Sequence, residues 1–364
     1  MRLVNTPSAA FAICVALFSA ACSDESPDLD DDAGFVTTGV NGAGGYGGSA
    51  SGPSTSVWGH DGGGGSGGGT VTPEGPFPIV LAHGFFGFEQ FAGVDFATYF
   101  YQVKAALAED GETEVFTPAV DPFNSSAIRG AQLEAHIEAI LAETGAQRVV
   151  IIGHSQGGLD ARVVAHDRPD LVAAVLTVAT PHGGSPVADV ALGISEDPDA
   201  SDLIDDLVNA IGAPLYDQVG NETSVTDALY QFSTPGIKSF DAAYPDVPGI
   251  FYASITGRTA DSLGGQACVP DFDIPLVQDW KTDGDPTEPL FWISEALISD
   301  GGDVVNDGLV PAASARHGEF WGCVPADHMD EIGQLFGDTP GLGNPFNHKS
   351  LFVDLVRELR SRGY

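Results

Sequence analysis

Arg148-Val149-Val150-Ile151-Ile152-Gly153-His154-Ser155-Gln156-Gly157-Gly158 is the stretch on which the reading of the fold turns. Four consecutive β-branched apolar residues read as a strand buried on both faces, the signature of a parallel sheet rather than of a half-exposed antiparallel one. Directly after them comes G-x-S-x-G, followed by a helix-competent run from about Gly157 to Asp167. A chain with 47 glycines meets that pentapeptide easily by chance. Its place between a buried strand and a helix is the informative part. A serine on such a strand–turn–helix elbow has its hydroxyl exposed, and the flanking glycines are needed where side chains would strike neighbouring backbone. Ser155 is therefore the candidate nucleophile.

The same rhythm continues on either side. Ile79-Val80-Leu81-Ala82 reads as a first buried strand ending at His83-Gly84, and the domain begins where the composition changes at Pro76-Phe77-Pro78. A helix over about Phe96–Glu109, a short strand over Glu114–Thr117 and a helix over Ala127–Glu143 follow. In that last helix Ile128, Leu133, Ile137, Ile140 and Leu141 fall on one face. Ala173–Ala179 gives the next strand. Alternating strands and helices of this kind predict an α/β fold, a mostly parallel sheet with helices on both faces.

A serine hydroxyl attacks poorly unless an imidazole takes its proton and a carboxylate orients that imidazole, and in this architecture the acid and then the histidine follow the serine along the chain. Of the histidines after Ser155, His182 reads as a structural loop residue and His166 lies within a helix. His328, in Asp327-His328-Met329-Asp330, is the candidate base, with His317 and His348 as alternatives. Asp307, on the Gly-containing turn Asn306-Asp307-Gly308, is the candidate acid, with Asp300 and Asp303 as competitors. An oxyanion needs two backbone N–H donors, one after the nucleophile and one in the loop after the first strand, which are those of Gln156 and Phe85.

The 364 residues carry 14 Lys+Arg against 51 Asp+Glu, a formal charge of −37, which repels phosphate backbones and excludes nucleic acid as a partner. With 43% hydrophobic residues the chain can still build one sizeable core. Residues 1–22 read as a signal sequence: Arg2, then an apolar run from Ala9 to Ala21 too short to span a bilayer. Ser19-Ala20-Ala21 before Cys22 has the form of a lipoprotein cleavage site, which makes Cys22 a candidate for lipidation and membrane attachment. Residues 23–72, acidic and then Gly/Ser-rich, read as a disordered tether. The catalytic domain is expected over 73–364. Only Cys268 and Cys323 remain in it, and in an oxidising compartment they predict one disulfide.

These motifs together resemble a known family, the secreted triacylglycerol lipases of the pseudomonad and Burkholderia type within the α/β-hydrolase fold. The likeness runs in order through Pro78–Gly84, Gly93-Val94-Asp95, Arg129–Leu133, Gly153–Gly158, Arg168–Leu171, Thr180–Ser185, Asn306–Val310 and Asp327–Glu331. The resemblance implies a Ser155–His328–Asp307 triad and hydrolysis of triacylglycerol esters at a lipid–water interface, without an organic cofactor. It also implies a structural Ca²⁺ held by Asp285, Asp330, Gln334 and the Asp338 carbonyl, oxygen ligands suited to that ion, and a folding chaperone that some relatives use. The family's disulfide cysteine shortly after the acid is absent here, and a Cys268–Cys323 bridge would serve the same end.

A helical lid insertion is expected over about 186–235. Within it, Leu203, Ile204, Leu207, Val208 and Ile211 line one face of a 200–211 helix, and Asp202, Asp205, Asp206 and Asn209 the other. The other reading of that helix is a fixed wall packed on the core. Two rival functions stand beside the lipase: a carboxylesterase or polyester hydrolase using the same triad, and a tethered binding module on a dead hydrolase fold, which an intact triad disfavours. The export signals predict an extracytoplasmic protein, either secreted or an outer-surface lipoprotein.

Overall fold

A computed structural model describes residues 75–85, 99–194, 225–259, 265–272, 291–299, 304–333, 340 and 344–364. The signal sequence, Cys22, the tether, Asp285, Asp300, Asp303, Gln334, Asp338 and the 200–211 helix lie outside them. The chain divides into two units, residues 1–67 and 68–364, and every described residue belongs to the second.

Among the described residues six strands form one sheet in the order β2-β1-β3-β4-β5-β6, parallel at every pairing. They are β1 (Ile79–Ala82), β2 (Val115–Phe116), β3 (Val149–His154), β4 (Val172–Val178), β5 (Phe251–Gly257) and β6 (Glu319–Val324). Side chains alternate across a strand. Val80, Ala82, Val149, Ile151, Val172 and Val175 therefore meet Leu133, Ile137, Ala161 and Val164 on one face. These come from α2 (Ser126–Thr144) and α3 (Gln156–Asp167). Ile79, Leu81, Val150, Ile152 and Leu176 meet Val103, Leu107, Leu351, Phe352 and Leu355 on the other. Those belong to α1 (Val103–Glu109) and to the C-terminal helix α9 (His348–Ser361). Both faces are covered by helices, which is why β1, β3 and β4 are predominantly apolar, with Thr177 and His154 the buried polar exceptions. The shorter helices α4 (Pro186–Ala191), α5 (Val225–Phe232) and α6 (Thr234–Ala243) gather on the outer side of α3 around Leu159 and Val163.

The predicted elements hold with shifted ends. α2 starts at Ser126, β3 runs on through His154, and the first helix begins only at Val103 after a left-handed Gln102. Ile128 does not join the buried face of α2; it is 46% exposed. Arg129 and Gly130 take its place inside. Glycine is required at position 130 because a Cβ there would stand 2.6 Å from Val163. A short helix α7 (Trp292–Ser299) and a four-residue helix α8 (Ala312–Ala315) precede β6. Cys268 and Cys323 form the predicted disulfide, tying the 3₁₀ turn Gly265–Cys268 to β6.

Candidate functional site

Phe85, Ser155 and His328 follow the C-terminal ends of β1, β3 and β6, at one end of the parallel sheet. Ser155 separates β3 from α3 at φ 54° and ψ −127°, a conformation sparsely populated for any residue with a side chain. From Val149 to Ala165 it is the one residue that is not fully buried. Close packing around it enforces the turn. A Cβ on Gly157 would lie 2.1 Å from the Ala82 carbonyl oxygen, and one on Gly84 would lie 2.7 Å from Ser155 Cβ. Gln156 opens α3, so its N–H is among those that no helical carbonyl can satisfy, at the positive end of the helix dipole. Its side chain is occupied elsewhere, donating from Nε2 to the Asn124 carbonyl at 2.7 Å.

His328 and Asp307 meet. Asp307 Oδ2 lies 2.8 Å from His328 Nδ1, with Asp307 fully buried and His328 nearly so. The other oxygen, Oδ1, accepts from the N–H groups of Leu309 (2.9 Å) and Val310 (2.6 Å). That Asx-type turn, with Gly308 at φ 92°, turns Oδ2 toward the imidazole. The His328 N–H donates back to the Asp307 carbonyl at 2.9 Å, so backbone and side chain both lock the pair. The alternative bases lie elsewhere. His317 pairs with Asp246 at 2.9 Å and stacks on His182, in an open cleft of about 400 Å³ that Arg162 and Arg316 also line. His348 Nε2 sits 2.8 Å from the Tyr101 carbonyl. His166 is in α3, and His182, 3.0 Å from Thr177 Oγ1, is a buried loop residue as expected.

Several buried groups to which the sequence assigned no part in the site, Arg129 and Asp160 foremost, support this frame. Arg129 of α2 spends its guanidinium on four partners: Asp160 (2.8 Å) and the carbonyls of Asp121 (2.7 Å), His83 (2.6 Å) and Gly84 (3.2 Å). In a trans peptide the C=O and N–H point oppositely. Holding the Gly84 carbonyl toward Arg129 thus turns the Phe85 N–H to the other side. The Phe85 ring packs edge-on against Phe123 and Phe232, at 5.6 and 5.8 Å between centroids. Burial and then the Arg129 charge push His83 down to about 3, and it accepts from the Val120 N–H through Nε2. Burial pushes the Asp160 carboxyl up to about 6 against the pull of Arg129.

Behind His328 lies an acidic pocket of Asp327, Asp330 and Glu331, all buried. Burial pushes Asp327 up to about 6 and Glu331 well above the usual carboxylate range. Asp330, the described member of the expected Ca²⁺ set, starts the 3₁₀ turn Asp330–Ile332, and its N–H donates to Asp327 Oδ1 at 2.9 Å.

Known proteins resemble this chain in sequence and in architecture. The sequence profile of the α/β hydrolase fold matches residues 78–207. A triacylglycerol lipase of Pseudomonas fragi is 36% identical, the match covering 79% of this chain and 97% of the relative. One of Vibrio cholerae is 34% identical, with 72% and 81% covered. Among solved structures, a metagenomic carboxyl esterase superposes with a TM-score of 0.54 at 18% identity, over 78% of this chain and 76% of its own. The mature form of a Bacillus licheniformis lipase does so with a TM-score of 0.50 at 21% identity, over 71% and 89%. At those identities the two structures speak for the fold alone.

Proposed function

This chain belongs to the triacylglycerol lipases of the α/β-hydrolase fold, and from that premise we propose that it cleaves the ester bonds of triacylglycerols through a Ser155–His328–Asp307 triad. The observation that carries the reading is the buried 2.8 Å contact of His328 Nδ1 with Asp307 Oδ2. It fixes the tautomer: Nδ1 keeps its proton on Asp307, and Nε2 is free to take the Ser155 proton. Ser155 Oγ then attacks the acyl carbon, and the oxyanion is received by the N–H groups of Gln156 and Phe85. His328 returns the proton to the leaving glycerol oxygen, giving a Ser155 acyl ester. Water, deprotonated by the same imidazole, releases the fatty acid and restores Ser155. Each step would draw on two backbone donors, Gln156 at the helix start and Phe85, whose peptide Arg129 grips through the Gly84 carbonyl.

The test is hydrolysis of emulsified triolein and of p-nitrophenyl esters of increasing chain length by the full chain, with Ser155→Ala beside it. The variant is expected to lose at least about 10³-fold in kcat. Activity confined to short esters would replace the lipase reading with the carboxylesterase one, and an active Ser155→Ala would overturn the triad.

A structural Ca²⁺ belongs to the same proposal. Buried Asp330, with Asp327 and Glu331 beside it, is a concentration of carboxylates that a hard cation would offset. Asp285, Gln334 and the Asp338 carbonyl would complete an all-oxygen set. Bound there, the ion would stiffen the loop that carries His328. A chelator is expected to lower Tm by several degrees in the parent and not in Asp330→Asn, read by scanning calorimetry. Equal Tm with and without chelator in the parent would remove the ion from the account.

The proposal extends to where the enzyme works. The Cys268–Cys323 bridge supports an oxidising compartment, in keeping with export by residues 1–22, attachment through lipidated Cys22 and a lid over 186–235 at the lipid–water interface. A folding chaperone would act before release. No described helix is long and apolar enough to cross a membrane.

A further inference from the structure

A second imidazole lies directly beneath the first. His154, the variable position of G-H-S-Q-G, ends β3 with its ring fully buried, 4.7 Å from the His328 ring between centroids. Strand alternation sets it on the face of Val150 and Ile152, where Tyr99 covers it. Its Nδ1 is 2.7 Å from Tyr99 Oη and its Nε2 is 3.2 Å from Glu331 Oε2. The ring also packs against that of His328, and Tyr99 in turn lies against the oxyanion loop, its Oη 2.5 Å from where a Cβ on Gly84 would stand. Burial keeps the imidazole neutral, which gives it one donor and one acceptor. Both are used when Nδ1 accepts from Tyr99 and Nε2–H donates to Glu331 Oε2.

A metal site is the rival use of this cluster, since His154, His328 and Glu331 offer three ligand atoms within 4.8 Å of one another. A tetrahedral ion would have to sit about 2.0–2.1 Å from each of them. It would displace hydrogen bonds already made in a site closed to solvent, and it would remove the base from Ser155. An ordinary core histidine is the other rival. It would not be expected to join, through one ring, the tyrosine that backs the oxyanion loop to the turn behind the catalytic base.

We infer that His154 is a positioning residue for the hydrolysis. It is a brace that runs from the oxyanion loop at Gly84, through the Tyr99 hydroxyl and the His154 ring, to Glu331 and the imidazole of His328, and it holds donor, nucleophile and base in register. The brace acts through His328 and Gly84 and touches no substrate, and it rests on the triad reading above. Misplacement by about 1 Å can cost about 10²-fold in rate, so a brace at this point acts on kcat.

The experiment measures kcat, KM and Tm of the full chain on p-nitrophenyl butyrate for four variants. His154→Leu keeps the bulk and removes both hydrogen bonds; its kcat is expected to fall about 30- to 100-fold with KM within about twofold. His154→Gln replaces the Nε2 donor, and its kcat is expected to return to within about fivefold of the parent. Tyr99→Phe removes only the hydroxyl, with an expected loss of about five- to tenfold. Combined with His154→Leu it is expected to add nothing, because both break one brace. A folded His154→Leu with parental kcat overturns the inference. So does a loss in kcat that Gln fails to restore and that follows Tm across the set. Should His154→Leu not fold, an unchanged kcat in Tyr99→Phe, whose ring packing is intact, overturns it equally. Ser155→Ala is measured in parallel. If it stays active the triad reading fails, whereas an inactive Ser155→Ala with unaltered His154 and Tyr99 variants sinks this inference alone.

Discussion

Arg129 carries more of this site than any other single side chain outside the triad. Its planar fork holds Asp160 with one edge and the His83 and Gly84 carbonyls with another, entirely away from solvent. A lysine would keep the charge but present a point donor on a flexible stem, unable to hold both the carboxylate and the oxyanion loop. Arg129→Lys is therefore expected to lower kcat about 10- to 100-fold, read on p-nitrophenyl butyrate, through a misdirected Phe85 N–H. It is also expected to lose about 1–3 kcal/mol in urea unfolding, the cost of buried carbonyls left without a donor. An unchanged kcat would mean that the Phe85 peptide is fixed by its ring contacts with Phe123 and Phe232 instead.

At the scale of elements, the elbow between β3 and α3 is where packing and chemistry compete. Ser155 accepts a strained backbone because Gly153 and Gly157 let strand and helix approach more closely than any side chain permits. At Gly157 a methyl group would meet the Ala82 carbonyl oxygen at 2.1 Å, and backbone on both sides leaves it nowhere to move. Gly157→Ala is expected to destabilise the fold by about 3 kcal/mol in urea denaturation. It is also expected to lower the activity of the folded fraction, since the relief available is a rotation of the Ser155 turn. A variant with parental stability would show that the elbow is softer than its contacts imply.

For the molecule as a whole, burial of neutral histidines couples stability to pH. His83 falls to about 3, chiefly through burial, and His154 and His182 are likewise held well below the ordinary histidine value of 6.5. Between pH 6.5 and about 3 the unfolded chain binds a proton at His83 that the folded chain refuses, so stability is lost as the pH falls through that window. Asp160, Asp327 and Glu331 are shifted upward by burial and act with the opposite sign. Comparing single variants removes their contribution. His83→Gln is expected to flatten the curve of unfolding free energy between pH 4.5 and 6 by about 1.4 kcal/mol per pH unit. Parallel curves for parent and variant would contradict a buried neutral His83.

Local chemistry, read from the sequence, was enough for the elements whose signal is written in their own residues. Dry strands β1, β3 and β4 announce themselves as apolar runs, the elbow as glycines around Ser155, and Asp307 as a turn residue in the right order before His328. Between Cys268 and Cys323 arithmetic sufficed. β5 and β6 were not legible: Phe251-Tyr252-Ala253-Ser254-Ile255-Thr256-Gly257 and Glu319–Val324 mix polar with apolar residues, and only their neighbours in the sheet bury Ser254, Thr256 and Trp321. Ile128 kept a helical apolar spacing and still faces solvent, because α2 turns Arg129 inward, where an Asp160 carboxylate oxygen and three backbone carbonyls await it. Nor could spacing reveal that Tyr99, His154 and Glu331 meet beneath His328, 55 and 177 residues apart along the chain. Covalent order dictates a residue's own conformational preferences and its near neighbours. Which buried polar groups find one another is decided only when distant segments are packed, since each must then trade its hydration for a partner that the chain brings from elsewhere.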